Sequence, residues 1–482
     1  MSNPINTAPK KYAISQNAFL LILSISLLTI VHWLILILRI PVFDSLPHWF
    51  FLLRETSTQD IWVVVALITL GAAIFVTFSK TKIAIKLILL IIFGAIIQFS
   101  LAFSKGEGLE TLRKRMTGVG HAEFATIASQ QSSIWNVAHN YENLLKTGEI
   151  TSAYTRSKPP GTLLFYMFTE RLANLTSPNA THEQRFENMR TFASITWPFI
   201  TYLVFIPLFF FARMIFDEET ALMACLLYLC VPPVNLITLH TDQTIYPFLA
   251  VLPAWLATLA LAKKNYLLAF LSGVTYYLAV YFSFGLAMIF LFVGLPYLFE
   301  LIKDLKNWKS ISLIAGSTAL GIAASDILAR LVLGYDIYVR YADAIKHHIK
   351  WKEWQYGFGN LLRAGLTAST EFFVWLGIPL TILLFVAIGL ALYQTLIRRT
   401  ADTTSLFSLA LFGTFILLLL FGKTRAESAR LWLFLVPFVC LIAANFIHQR
   451  AWTARSKIFF AVYILLLEFG TVYLILRHMD FQ

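Results

Sequence analysis

The side chains able to do chemistry in this sequence sit in a few short stretches between long apolar runs. "GHAEF" at 120–124 supplies His121 and Glu123, and "AYTRSKPPG" at 153–161 supplies Arg156 and Lys158. "LHTDQ" at 239–243 adds His240 and Asp242. "AIKHHIKWKEWQYGFGN" at 344–360 carries His347 and His348 among tryptophan and tyrosine, and "GKTRAESARLWLFLVP" at 422–437 carries Arg425, Glu427 and Arg430.

These types divide into roles. A carboxylate at a membrane edge, such as Glu123 or Asp242, can act as general base toward an acceptor hydroxyl. Lys158 as a point charge, and Arg156, Arg425 and Arg430 as planar forks, suit a phosphate. Pro159 and Pro160 stiffen the chain after Lys158 and fix the depth of its ammonium. His121, His240, His347, His348 and Glu427 are candidate substrate contacts. The Trp and Tyr side chains between 335 and 360 suit an interfacial belt or stacking on a sugar ring. Base, phosphate clamp and aromatic platform together describe glycosyl transfer from a lipid phosphate.

Each residue also has a plainer reading. A carboxylate can be a helix cap, Lys158 an interfacial anchor, and Arg425, Glu427 and Arg430 a salt-bridged turn. His347 and His348 are adjacent, so on a helix they point different ways and suit a loop surface better than a metal site. It is the gathering on one side of a membrane that favours chemistry, and that side follows from the elements between the motifs.

Of 482 residues, 58% are hydrophobic and 13% charged, with mean hydropathy +0.71. Soluble domains carry about 25% charged residues, so this chain cannot cover a soluble surface. Apolar runs reach the roughly 20 residues that cross a bilayer as helix. The expectation is an all-α integral membrane protein with about 13 transmembrane helices. The runs lie near 17–40, 61–79, 83–103, 191–212, 220–239, 243–262, 266–283, 284–302, 311–333, 370–393, 404–422, 430–448 and 457–477. The first reads as a retained span rather than a signal peptide. The net charge of +12 reflects the basic bias of cytoplasmic loops and not a nucleic-acid partner. Cys225, Cys230 and Cys440 fall in apolar runs and read as small core residues.

Lysine and arginine orient the spans. With the N-terminus inside, Lys10, Lys11, Lys80, Lys82, Arg213, Lys263, Lys264, Lys303, Lys306, Lys309, Arg398, Arg399, Arg450, Arg455 and Lys457 all fall on the cytoplasmic side. The polar segment 104–190 then lies outside, with 240–242, 334–369 and 423–429, so every motif faces the extracytoplasmic compartment. The run 160–173 is short and holds Glu170 and Arg171, so it reads as an interfacial helix. Asn174 and Asn179 head N-x-T sequons just after it.

At this point the sequence resembles the GT-C glycosyltransferases, polytopic enzymes that use polyprenyl-phosphate sugars. The closest branch is that of protein O-mannosyltransferases and lipid A aminoarabinose transferases (glycosyltransferase family 39-like). The resemblance rests on "HAEF" with Glu123, "SKPPG" with Lys158, "NMRTFASI" with Arg190 and "TDQTIYPFLA" with Asp242, in the family's order between about 83 and 310. It implies Glu123 as catalytic acid/base, Lys158 as donor-phosphate contact and Asp242 as a second active-site acid. His121 stands where the family has an aspartate, and a divalent metal ion is left open. It also implies three parts: a two-helix addition at 1–82, a GT-C-like catalytic core at 83–310 with its large extracytoplasmic loop 104–190, and C-terminal helices at 311–482.

The leading expectation is an inverting glycosyltransferase of a cell envelope, in a bacterial cytoplasmic membrane. Its donor is a polyprenyl-phosphate sugar and its acceptor a lipid, glycan or protein. A transporter or flippase needs polar groups at mid-membrane. Only Asp326 with Arg330, four apart near the outer end of a span, and Glu468 in the middle of its span qualify. A charge at Glu468's depth costs about 2.5–3.5 kcal/mol, so it needs a partner or a neutral form. A polysaccharide polymerase or ligase would show a large late outer loop, whereas here the largest is early.

Overall fold

The computed structural model describes residues 16–49, 51–117, 122–236, 242–400, 402–421, 427–449 and 454–480. The side chains of 16, 17, 242 and 454 fall outside that description. The fold is helical, as the apolar runs require, since only helices and closed barrels satisfy their backbone in lipid. Among the described residues, 10 helices are long and apolar enough to cross a membrane, and Tyr266–Phe282 and Leu433–Gln449 are shorter apolar helices.

The remaining expected span, 220–239, is broken. Helix Glu218–Tyr228 ends before Pro232 and Pro233, and a short helix Pro232–Leu236 follows. Proline lacks the N–H that would continue the ladder. Thr220 to Tyr228 are all buried, as are all residues of the short helix. This stretch is therefore interior to the bundle, where it packs on Val436–Gln449, which is itself buried from Val436 to Ile447.

The expected span 370–393 is also broken. Helix Phe358–Leu376 stops at Gly377, whose φ of 89° is left-handed, and the crossing helix is Ile378–Ile397. Glu468 meets this break. Its Oε1 accepts the Leu380 N–H at 3.0 Å, at the start of the new helix. The partner that a mid-span acid needs is thus a helix N-terminus with its unpaired donors. The Asp326–Arg330 pair forms as expected, at 2.9 Å.

The two ends of the chain meet. In helix Gln16–Leu38, Trp33 Nε1 donates to Thr471 Oγ1 at 3.0 Å, and Ser26 Oγ lies 2.6 Å from the Tyr463 hydroxyl, both on helix Ala454–His478. Strand Leu52–Leu53 pairs antiparallel with Met479–Asp480. Gln59 N–H donates to Ser104 O at 2.6 Å, so the 104–190 segment begins at this same end of the bundle.

That segment is a helical layer with a core of its own rather than a loop. Helices Leu109–Met116, Ala122–Gln130, Ile134–Thr147, Ala153–Ser157 and Pro160–Ala173 pack with helix His182–Tyr202 and bury Phe124, Tyr141, Leu163, Tyr166, Met189 and Trp197 together. Side chains cap its starts: Ser133 Oγ accepts from Asn136 N–H, and Ser152 with Thr155 and Thr181 with Gln184 form capping boxes. The expected interfacial helix is Pro160–Ala173, but it is more buried than an interfacial helix need be. Leu163, Tyr166 and Met167 line the layer's core, and Glu170 is held by Arg185 Nε at 2.6 Å. Phe168 and Leu172 remain exposed on it.

Candidate active site

Lys158 is held by what precedes and follows it. It ends the five-residue helix Ala153–Ser157, and Pro159 and Pro160 then open helix Pro160–Ala173. Gly161 completes the motif for a steric reason. A Cβ there would lie 2.5 Å from the Tyr281 carbonyl oxygen and 2.9 Å from Phe282 Cα, so only glycine lets this helix start against the end of helix Tyr266–Phe282.

From that position Lys158 Nζ lies 5.1 Å from the centroid of the Phe124 ring. Phe124 follows Glu123 in the first turn of Ala122–Gln130, so Lys158 rests on the buried ring next in sequence to the acid. Glu123 is partly exposed, its Oε2 is buried, and no hydrogen bond from the described residues reaches that oxygen.

Tyr154 links this pair to the late outer segment. Its phenol is pushed up, first by burial, then by the Glu427 carboxylate, with Arg430 opposing and Glu123 adding to the rise. Both acids therefore act on Tyr154 although 304 residues separate them in sequence. The Tyr154 ring also packs edge-on against Trp351 at 5.0 Å.

Glu427 is the acid of a three-charge cluster. Its Oε1 lies 3.3 Å from Lys352 Nζ and 3.1 Å from Arg430 Nη2. Burial works to raise this carboxyl, but Arg430 and Lys352 outweigh it, with His348 assisting, and hold it below the usual carboxylate range. Glu371 lies underneath: its Oε1 accepts the Ala429 N–H at 3.0 Å, while Ser428 Oγ donates to Ala368 O at 2.7 Å.

The histidine pair divides as adjacent helical residues should. His347 Nε2 donates to Ala153 O at 3.1 Å, and its ring stacks on Trp351 at 6.3 Å. Burial lowers its pKa, and Arg156, Arg340 and Lys350 add to that against the hydrogen bond. His348 meets Trp351 edge-on at 6.2 Å. Both lie on helix Ile337–Trp351, so the expected loop surface is an ordered helix with His347 latched to the Lys158 segment. The Arg156 side chain is exposed.

Other sequence candidates fall elsewhere. Arg190 pairs with Glu110 and Glu187, each at 2.7 Å, in the first half of helix His182–Tyr202. His121, His240 and Arg425 lie outside the described residues. Asp242 opens a 3-10 turn, Asp242–Ile245, that packs on helices Pro160–Ala173 and His182–Tyr202, and its side chain is outside the description. Among the described residues no three of His, Cys, Asp or Glu group as metal ligands, and the three cysteines are free and buried.

Sequence reasoning missed Tyr154, Trp351 and Lys352 as individuals, although all three stand inside the quoted motifs. It missed Tyr141, Glu142 and Arg340 altogether. Tyr141 and Glu142 sit in a helix read only as outer polar sequence, and nothing local marks their partners.

No family model matches the chain, and no curated protein matches it. Solved structures do. The chain is similar in helical layout to the archaeal oligosaccharyltransferase AglB from Archaeoglobus fulgidus in complex with an inhibitory peptide and a dolichol-phosphate. Identity is 15%, the match covers 81% of this chain and 55% of that one, and the TM-score is 0.48. The apo form of the Archaeoglobus fulgidus enzyme gives 13% identity, 80% and 56% coverage and a TM-score of 0.46. Its complex with Zn and sulfate gives 14%, 80% and 53%, and 0.42. The chain spans little more than half the length of these relatives.

Proposed function

We propose that this protein is a membrane glycosyltransferase that moves a sugar from a polyprenyl-phosphate carrier to an acceptor hydroxyl, with inversion, on the non-cytoplasmic face. The observation that carries the reading is a buried Glu123 oxygen that no hydrogen bond from the described residues occupies, one residue before the Phe124 ring on which Lys158 Nζ rests. That oxygen can take the acceptor proton as the acceptor oxygen bonds to the sugar C1. The C1–phosphate bond breaks with its electron pair going to the phosphate oxygen, where Lys158 Nζ offsets the growing charge.

One further feature suits a sugar-bearing donor. The Tyr154 and Trp351 rings, beside the polar cluster, offer a face to a sugar. Glu427 is engaged by two cations and is the poorer candidate for base. Asp242 stays the second acid of the proposal, and no step is routed through a metal.

The experiment separates base from clamp. A panel of radiolabelled polyprenyl-phosphate monosaccharides gives transfer rates, and polyprenyl phosphate alone gives binding. Glu123→Gln keeps the side-chain shape and cannot accept a proton, so binding should persist while transfer falls about 10²–10⁴-fold. Lys158→Ala should weaken polyprenyl-phosphate binding. Near-normal transfer by Glu123→Gln removes Glu123 from the mechanism, and undiminished binding by Lys158→Ala returns "SKPPG" to an anchor.

A further inference from the structure

The helix that ends at Lys158 is five residues long. A helix that short cannot hold itself, and its last carbonyls find few backbone donors, the Lys158 N–H to Thr155 O at 3.4 Å being one. In this protein those carbonyls are taken by side chains from two other elements. The Tyr141 hydroxyl donates to Thr155 O at 3.0 Å and approaches Lys158 O at 3.5 Å. Arg340 Nη2 donates to Arg156 O at 2.8 Å.

Arg340 is itself buried, 4% exposed, and its Nη1 donates to Glu142 Oε2 at 3.1 Å. A buried guanidinium with one carboxylate and one carbonyl is a costly arrangement to keep unless it fixes something. What it fixes is the backbone leading into Lys158. Arg340, His347 and Trp351 lie on one face of helix Ile337–Trp351, seven and four residues apart, and all three grip the short helix, at Arg156 O, Ala153 O and the Tyr154 ring. Lys352, just past its end, reaches Glu427.

We propose that Arg340, braced by Glu142, is a positioning residue that sets the depth and direction of Lys158. It makes the phosphate contact depend on docking of the 334–369 segment onto the 104–190 layer. Its neighbourhood fits a rigid brace rather than a ligand contact. Glu142 is raised, first by burial, with Arg340 opposing and Asp343 adding. Tyr335 and Tyr141 hydroxyls are buried beside it, and both are pushed up chiefly by burial. The titratable groups around the Arg340–Glu142 pair are thus Asp343, Lys146, Tyr141, Tyr335 and His347. The inference rests on the reading of Lys158 as a phosphate contact.

The test uses the full chain in lipid nanodiscs and polyprenyl phosphate alone as probe. Arg340→Gln should weaken polyprenyl-phosphate binding about tenfold, and amide exchange across 153–158 should rise at least tenfold. A purely structural brace would act additively with Lys158→Ala. A positioning residue should not: Arg340→Gln in the Lys158→Ala background should cost less than threefold more, because the group being positioned is gone. Arg340→Lys, which keeps the charge and loses the fork, should resemble Arg340→Gln in exchange. Additive losses, or unchanged exchange across 153–158, overturn the proposal. If Lys158→Ala alone leaves probe binding intact, the phosphate reading fails instead, and the exchange result still decides whether Arg340 holds the segment. Should Arg340→Gln not fold, Glu142→Gln removes only the brace and is judged by the same two measurements.

Discussion

The Lys352 ammonium lies 3.3 Å from the Glu427 carboxylate and joins the start of the short helix Ser428–Leu431 to the end of helix Ile337–Trp351. Arg430 reaches the same oxygen at 3.1 Å. Two segments that are far apart in sequence are therefore closed over the Tyr154 side of the site by one acid and two cations.

This cluster should make stability acid-sensitive. The folded Glu427 carboxyl titrates below its ordinary value of 4.5, because Arg430 and Lys352 outweigh its burial. A depressed carboxyl contributes stability that is fully present above the ordinary value and is lost as pH falls through the folded one. Thermal unfolding of the detergent-solubilised protein should therefore hold near neutral pH and drop once pH passes below 4.5. Glu427→Gln should be less stable by about 1.5–3 kcal/mol at pH 7 and should lose part of the acid-dependent drop. A variant with the same stability and the same acid profile would show that the cluster contributes nothing.

Gly161→Ala tests the docking of "SKPPG". The added methyl meets backbone atoms of Tyr281 and Phe282 that cannot swing aside. Overpacking of this kind costs about 1–3 kcal/mol and shifts the backbone that carries it. The expected result is a lower unfolding midpoint together with weaker polyprenyl-phosphate binding, because Lys158 is only three residues away. Unchanged binding would mean that Lys158 tolerates a displaced helix start.

The membrane class and most spans were legible because apolar length is a local property. The breaks were not. Pro232 and Pro233 were visible, but a continuous apolar run hid the interruption they cause. The break at Gly377 was marked by Gly377 and Pro379, but Glu468, the acid that satisfies the start of the new helix, is 91 residues further on, so no window of sequence contains the pair. At the site, Glu123, Lys158, Glu427 and Arg430 could be named from residue type at a membrane edge. That Lys158 rests on the Phe124 ring, next to Glu123 in sequence, follows from how helices Ala122–Gln130 and Pro160–Ala173 pack, and residue types do not encode it locally. Arg340 was missed for the same reason: its partners, Glu142 and Arg156 O, lie in the early layer.

Lysine and arginine placement predicts the side of the membrane, and it can be measured directly. Trp135 is exposed on helix Ile134–Thr147 in the outer layer, and Lys306 is exposed in the short turn Leu305–Asn307 at the opposite ends of its neighbouring spans. Native Cys225, Cys230 and Cys440 are buried, so the unmodified protein supplies a low-background control. In intact cells Trp135→Cys should react with a membrane-impermeant thiol reagent within minutes, and Lys306→Cys should react only after the membrane is permeabilised. The basic loops decide this expectation, because lysine and arginine near span ends favour the cytoplasmic side. Labelling of Lys306→Cys from outside, with Trp135→Cys protected, would invert the chain. It would place Glu123, Lys158 and Glu427 in the cytoplasm and remove the extracytoplasmic site while leaving their mutual geometry untouched.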